Sequence, residues 1–161
     1  MNIFEFAINF ERENREYYLE RSRKTSNENL RLLFKELAAE EKKHEEIIIQ
    51  LRSEKTVENI VSDINKTAEE CFQKMAENLP EIVIPTEEAH IYKEAVELEK
   101  SSKDFYLEKA KTTDLVYIKR IFQQLAYEEN KHQVIMENIV ELVDRPNTWL
   151  EDAEWYHLDE Y

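Results

Sequence analysis

The chain has 161 residues, of which 42% are hydrophobic, enough to bury the core of one domain. It contains no glycine, which excludes glycine-rich phosphate loops, dinucleotide-binding turns and tight hairpins, and favours an all-helical protein. Its net charge of −14 disfavours nucleic acid and anionic membrane surfaces as partners.

Two helices are predicted at the N-terminal end. The first spans about residues 3–24, and it carries charges where a signal peptide needs an unbroken apolar stretch. Thr25, Ser26 and Asn27 then offer the turn and N-cap chemistry that precedes a second helix over about 28–53. These two segments therefore predict a helical hairpin.

A crossover over residues 54–86 is predicted to contain one more amphipathic helix. Apolar residues recur on one helical face between positions 57 and 79. They are Val57, Ile60, Val61, Ile64, Ala68, Cys71, Phe72, Met75 and Leu79. Cys71 is the single cysteine, so no disulfide can form within the chain and we expect a cytoplasmic protein. No apolar run approaches 18 residues, so no membrane-spanning helix is expected.

A second hairpin follows. Pro85 and Thr86 precede a helix predicted over about 87–110. Turn residues at 112–114 are expected to cap a fourth bundle helix over about 115–144, which Pro146 ends. Residues 1–146 are thus predicted to form one bundle. The tail, residues 147–161, should pack its aromatic residues on the bundle end or on a partner subunit; they are Trp149, Trp155, Tyr156 and Tyr161.

The two hairpins are copies of one repeat. A shift of 88 residues aligns residues 7–51 with 95–139 without a gap, and fourteen of the 45 aligned positions are identical. The identities include the pairs Tyr18/Tyr106, Glu41/Glu129 and His44/His132. The duplication predicts a four-helix bundle, in which the long crossover allows the second and third bundle helices to lie parallel.

Ionisable residues interrupt the apolar seams of all four bundle helices. In the second and fourth helices, apolar residues follow alternating spacings of three and four, the pattern of a stripe that faces a bundle axis. A glutamate and a histidine stand three residues apart in the middle of each stripe, and the first and third helices each add one seam glutamate. The six residues are Glu11, Glu41, His44, Glu99, Glu129 and His132.

Metal binding explains this arrangement. Four unpaired carboxylates in an apolar core would cost at least several kcal/mol each and would repel one another. Two divalent cations neutralise them, and carboxylate with imidazole ligation suits iron or manganese. We therefore predict two iron ions, with manganese or a mixed metal pair as alternatives.

Other ionisable residues near these motifs are expected to lie outside the metal site. His90 lies half a turn away from the face of Glu99, and His157 is in the tail. Four glutamates that flank the predicted ligands are expected to be solvated: Glu13, Glu40, Glu97 and Glu128. Tyr18 and Tyr106 lie two turns beyond Glu11 and Glu99, where they either pack in the core or donate hydrogen bonds to ligand carboxylates across the bundle.

Four segments carry this pattern: AINFERENREYYLE, LFKELAAEEKKHEEI, AVELEKSSKDFYLEK and IFQQLAYEENKHQVI. Together they resemble the rubrerythrin-like branch of the ferritin-like di-iron carboxylate superfamily. The resemblance implies a ferritin-like bundle, in which Glu41 and Glu129 bridge the metals and Glu11 and Glu99 bind one metal each. It also implies that His44 and His132 each add one nitrogen, and that Tyr18 and Tyr106 match tyrosines that support the ligands in the family.

Two departures from the family pattern bear on activity. Rubrerythrins that reduce hydrogen peroxide carry an extra glutamate one turn after the third-helix ligand, where this chain has Ser102. They also usually append a rubredoxin domain, and one cysteine cannot build its iron centre. The resemblance therefore implies that electrons come from a separate donor, such as a rubredoxin-type protein.

Three functions remain open from the sequence. The first is a redox enzyme, expected as a homodimer, that reacts with O₂ or H₂O₂ and is re-reduced by an external donor. The second is an iron-handling, ferroxidase or storage protein, which would need a cage-like assembly. The third is a non-catalytic helical module that metal only stabilises.

Overall fold

The computed structural model describes residues 2–78, 84–85, 87–146, 148–149 and 158. Within these ranges the chain is helical and contains no strand, which confirms the predicted all-α class and a helix in the crossover. None of the described helices combines the length and apolar character needed to cross a membrane. The helices are α1 (Ile3–Lys24), α2 (Glu28–Arg52), α3 (Ile64–Glu77), α4 (Glu88–Thr112) and α5 (Val116–Asp144).

The bundle core consists of two apolar clusters, one toward each end. One cluster takes residues from the second half of α1, the first half of α2, the first half of α4 and the second half of α5. The other cluster takes residues from the opposite half of each of these four helices. The order in which each helix meets the clusters shows that α2 and α4 run parallel to each other and antiparallel to α1 and α5. This is the predicted ferritin-like direction, and it leaves a middle layer between the clusters.

The crossover helix is shorter than predicted. α3 begins at Ile64, whereas the apolar pattern predicted a helix from Val57, and Val61 is 79% exposed and does not lie on the inward face. Residues 57–63 have no regular secondary structure, and α5 side chains bind two of their backbone N–H groups. Ile60 N–H donates to Gln124 Oε1 at 2.9 Å, and Val57 N–H donates to the hydroxyl of Tyr117. Leu79, the predicted end of this helix, lies outside the described residues.

The turn after α2 sets the path of the crossover without a glycine. Glu54 adopts a left-handed backbone conformation with φ of 58°. The Glu54 and Lys55 N–H groups donate back to Leu51 and Gln50 carbonyl oxygens, which satisfies the end of the helix in the pattern that normally uses glycine. The chain therefore turns sharply and runs back across the bundle.

The helix ends differ between the two repeats. Asn27 caps α2, since its side chain accepts a hydrogen bond from Leu30 N–H at 3.0 Å, as predicted. At α5 the prediction was wrong: Leu115 occupies the N-cap position without a side-chain cap, and Thr113 Oγ1 accepts only a long hydrogen bond of 3.4 Å from Leu115 N–H.

Part of the tail packs on the crossover helix. Trp149 is 1% exposed, and its ring meets Phe72 of α3 edge-on at 5.9 Å. Asn65 Nδ2 of the same helix donates to the Leu158 carbonyl oxygen at 3.3 Å. The other aromatic residues predicted to pack there, Trp155, Tyr156 and Tyr161, lie outside the described residues, as does Thr86.

Candidate metal centre

The middle layer of the bundle contains all six predicted metal ligands. Each of the four helices α1, α2, α4 and α5 contributes one glutamate, and α2 and α5 each add a histidine. Each of these six residues is at most 1% exposed. The structure thus brings together Glu11, Glu41, His44, Glu99, Glu129 and His132.

These residues form two overlapping groups of four. One group adds Glu11 and His44 to a shared pair, and the other adds Glu99 and His132 to the same pair. The shared residues are Glu41 and Glu129, and in each group one ligand atom from every residue lies within 4.8 Å of the others. Two adjacent cation sites with two bridging carboxylates match this geometry.

The histidines are arranged symmetrically across the centre. His44 Nδ1 lies 2.9 Å from Glu129 Oε1, and His132 Nδ1 lies 2.8 Å from Glu41 Oε1. The two rings are 5.7 Å apart and nearly parallel, at 8°. Each Nδ1 therefore faces a shared carboxylate from the other repeat.

Two tyrosines support the outer glutamates. The Tyr18 hydroxyl donates to Glu99 Oε1 at 2.6 Å, and the Tyr106 hydroxyl donates to Glu11 Oε1 at 2.5 Å. Burial, followed by the charge of the neighbouring glutamate, raises the pKa of both phenols well above its ordinary value. Both tyrosines therefore keep their protons and act as hydrogen-bond donors that fix one oxygen of each outer carboxylate.

Protons balance the charge in the metal-free centre. Burial and the charges of neighbouring carboxylates raise the pKa of Glu41 and of Glu129 well above its ordinary value, which favours the protonated acid at both positions. Burial opposes ionisation of Glu99, but the neighbouring Glu129 and the charge of His132 lower its pKa to about 2. The pKa of Glu11 is also lowered: burial opposes ionisation, but the contacts with Glu41, His44 and Tyr106 and the charge of His44 together outweigh it.

The histidines supply the compensating charge. Burial disfavours the imidazolium form, but the charge of Glu11 raises the pKa of His44 well above its ordinary value. Glu99 has the corresponding effect on the pKa of His132. These shifts favour two carboxylates, Glu11 and Glu99, beside two protonated imidazoles, so bound metal ions would displace protons from the six side chains.

The donor set fits a metal pair. Among the described residues, one oxygen of each of the four glutamates is buried without a hydrogen-bond partner: Oε2 of Glu11, Glu41, Glu99 and Glu129. Buried polar atoms are nearly always satisfied in folded proteins, so four unsatisfied carboxylate oxygens in one layer need an explanation. Coordination of two cations satisfies them all and removes the mutual repulsion.

A small polar pair lies beside the centre. Asn14 and Ser102 occupy equivalent positions in the two repeats, and Asn14 Nδ2 donates to Ser102 Oγ at 3.1 Å. Both residues are buried. Ser102 in turn donates to the Leu98 carbonyl oxygen at 3.1 Å, so its hydroxyl is fully engaged away from the ligands.

The prediction that the flanking glutamates are solvated is half wrong. Glu13 and Glu97 are exposed, but Glu40 and Glu128 are only 6% and 3% exposed. Glu40 is covered by the crossover, where the hydroxyl of Ser62 donates to it. Glu128 is paired at 3.2 Å with Lys131, which is itself largely buried.

Sequence reasoning also missed two ion pairs that the buried Glu45 makes beside the centre. Glu45 is 8% exposed and accepts hydrogen bonds from Arg12 at 2.6 Å and from Arg15 at 3.3 Å. The arginines lie on α1, so the network ties the two helices of the first hairpin together. The signal was a pair of arginines one turn apart on α1, each directly after a seam residue and on the same flank of the helix, together with the acidic stretch on α2.

Among the described residues, His90 is the remaining histidine, and it does not join the centre. The side chain of His90 is 82% exposed and lies 3.3 Å from Glu94 on the outside of α4, the direction that helical periodicity predicted. His157 lies outside the described residues.

A family model described as rubrerythrin matches the chain in two segments, residues 2–93 and 90–156. The chain belongs to the rubrerythrin family. The first segment contains α1, α2 and α3, and the second contains α5 and nearly all of α4, so both helix pairs of the bundle are included. Neither a curated protein nor a solved structure matches the chain. Family membership and the two buried groups of carboxylates and histidines together indicate a di-iron carboxylate protein.

Proposed function

We propose that this rubrerythrin-family protein is an oxidoreductase that reduces H₂O₂ or O₂ with electrons from a separate donor. The observation that supports the proposal is the pair of four-residue groups that share Glu41 and Glu129. Two ferrous ions held there would supply the two electrons that convert H₂O₂ and two protons into two water molecules.

The chain's own residues would perform three tasks in this reaction. The six ligands would hold both metals at one separation, since the shared carboxylates come from helices in different repeats. Tyr18 and Tyr106 would fix the outer carboxylates and donate hydrogen bonds there without losing their protons. The apolar clusters above and below the layer would exclude bulk water from the centre.

The electron donor is proposed to be a separate protein of the rubredoxin type or a small molecule. Cys71, the single cysteine, is buried in the core cluster around α3, and burial raises the pKa of its thiol to about 12. It therefore cannot serve as a thiolate ligand or as a ready redox group at neutral pH.

The test is anaerobic loading with Fe²⁺ followed by addition of H₂O₂. We expect two iron ions per chain, oxidation of two ferrous ions by each H₂O₂, a new near-ultraviolet absorption band, and repeated turnover when an artificial reductant is added. A loaded protein that shows no absorbance change and no turnover would refute the redox proposal and leave a metal-stabilised module.

Gel filtration distinguishes iron storage from the proposed redox function. We propose a homodimer, and a dimer has no interior in which iron could accumulate. A cage-sized assembly that oxidises many more than two ferrous ions per chain would instead establish iron storage.

A further inference from the structure

A cavity of about 470 Å³ lies between α2 and residues 56–61, the part of the crossover that precedes α3. Its lining includes the exposed side chains of Glu46 and Thr56 and, at the other extreme, His44, which is 1% exposed. The cavity therefore leads from the protein surface to one of the six candidate metal ligands.

The crossover segment leaves this gap because it is attached to α5. Arg120 Nη1 donates to Asn59 Oδ1 at 2.7 Å, and Gln124 Nε2 donates to the same oxygen at 3.1 Å. Tyr117 and Gln124 also hold the backbone of the segment at residues 57 and 60. These attachments hold residues 57–60 over α5, with the cavity between them and α2.

Glu40 lies at the inner part of this cavity. It precedes His44 by one helical turn on α2, so the two side chains lie on the same face. Glu40 is 6% exposed, and its carboxylate accepts a hydrogen bond from Ser62 and lies 3.5 Å from the ammonium group of Lys43. The side chain of Lys43 is itself 65% exposed, so a cation from solution can displace its ammonium group from Glu40.

The charge and the size of the cavity suit a divalent cation. Three carboxylates line it, from Glu40, Glu46 and Glu58, against one lysine, Lys43. A negative cleft raises the local concentration of cations and their rate of arrival. Six coordinated water molecules occupy roughly 180 Å³ at about 30 Å³ each, which is well within the volume of the cavity.

We propose that this cavity is the route by which divalent metal ions enter the centre, and that the Glu40 carboxylate binds the ion in transit and passes it to the group that contains His44. The inference rests on the proposed metal centre but not on its redox activity. It gives Glu40 a role in loading that is separate from the final ligand set.

The first test compares loading rates of the metal-free full chain with Co²⁺, followed by its visible absorption in a stopped-flow instrument. Glu40→Gln keeps the shape and the hydrogen bond from Ser62 but removes the charge. We expect loading to slow by about tenfold or more, in line with the effect of charge in a focusing cleft, with two metal ions still bound at equilibrium.

The duplication provides a matched control. Glu128 is the repeat equivalent of Glu40, is also buried and also has a lysine partner three residues on, but it does not line this cavity. Glu128→Gln should load at the wild-type rate. Equal rates for Glu40→Gln and wild type, or equal slowing in both variants, would overturn the proposed route.

A second variant tests the path without changing charge. Thr56→Trp, at an exposed position of the lining, should fill the mouth of the cavity and slow loading. Thr112→Trp, at an exposed position at the end of α4, is the control. Unchanged loading by Thr56→Trp would show that ions enter elsewhere. Failure of the wild-type protein to bind two ions at all would refute the metal centre itself, which distinguishes the two proposals.

Discussion

Replacement of the two shared glutamates should abolish metal binding while the metal-free fold is retained. In the double variant Glu41→Gln with Glu129→Gln, each group of four ligands keeps only one carboxylate and one imidazole. In the metal-free protein both glutamates are neutral, because burial and neighbouring carboxylates raise the pKa of each. A neutral amide therefore replaces a neutral acid, and its oxygen can still accept from the facing histidine.

The expected size follows from linkage between binding and folding. At a free metal concentration one hundred times Kd, each occupied site adds about 2.7 kcal/mol to the free energy of unfolding, so two sites add about 5 kcal/mol. For a domain of this length, that corresponds to an increase in Tm of roughly 10–20 °C. We expect this increase in the wild-type protein and almost none in the double variant.

The assay is thermal unfolding by circular dichroism with a chelator and with Mn²⁺, together with metal analysis after gel filtration. Glu13→Gln with Glu97→Gln is the control, since it makes the same two substitutions at exposed positions. The ligand assignment is wrong if the double variant still binds two metal ions per chain. The charge argument is wrong if its metal-free form unfolds far below the metal-free wild type.

Three further predictions concern the surroundings of the ligands. Tyr18→Phe or Tyr106→Phe removes the phenol that fixes an outer carboxylate, and each should weaken metal binding about 10- to 100-fold by competition with a chelator. Ser102→Glu should raise peroxide turnover by supplying the carboxylate that peroxide-reducing relatives carry; an unchanged rate would show that this position is not limiting. Burial opposes protonation of His44 and His132, but the neighbouring carboxylates raise the pKa of each, so these histidines should lower the stability of the metal-free protein as pH rises above about 6.5, by up to about 1.4 kcal/mol per pH unit for each histidine. The raised pKa of Glu41 and of Glu129 adds a loss of the same sign that begins above their ordinary value of 4.5. Metal ions displace the same protons, so the stabilisation by Mn²⁺ should grow over this range, and urea unfolding with chelator or Mn²⁺ between about pH 6 and 9 measures both trends.

The bundle and its ligand layer could be predicted because both are properties of local periodicity. A seam with alternating spacings of three and four must face a bundle axis, and a glutamate or histidine in that seam must be buried with it. The repeat then placed Glu41 and His44 at the same level as Glu129 and His132 without any knowledge of the packing.

Two of the errors concern features that depend on distant segments. Residues 57–63 have helical periodicity, but Tyr117 and Gln124, about sixty residues away, bind the backbone N–H groups of Val57 and Ile60, which are then not available to a helix. The burial of Glu40 has the same origin, since it depends on where that segment crosses α2. No periodicity within α2 contains this information.

The duplication makes the two halves of the ligand layer nearly identical, so any functional difference between the two metal positions must come from their surroundings. Those surroundings differ in two equivalent residue pairs and in the crossover. Glu45, held by two arginines, is replaced by Gln133, to which Lys103 donates at 2.9 Å. Asn14 is replaced by Ser102, and the cavity that reaches His44 is bounded by a crossover that the duplication does not repeat. The cavity reaches the position beside His44, so under the proposed route this position is filled first from solution, and the shared carboxylates connect it to the second.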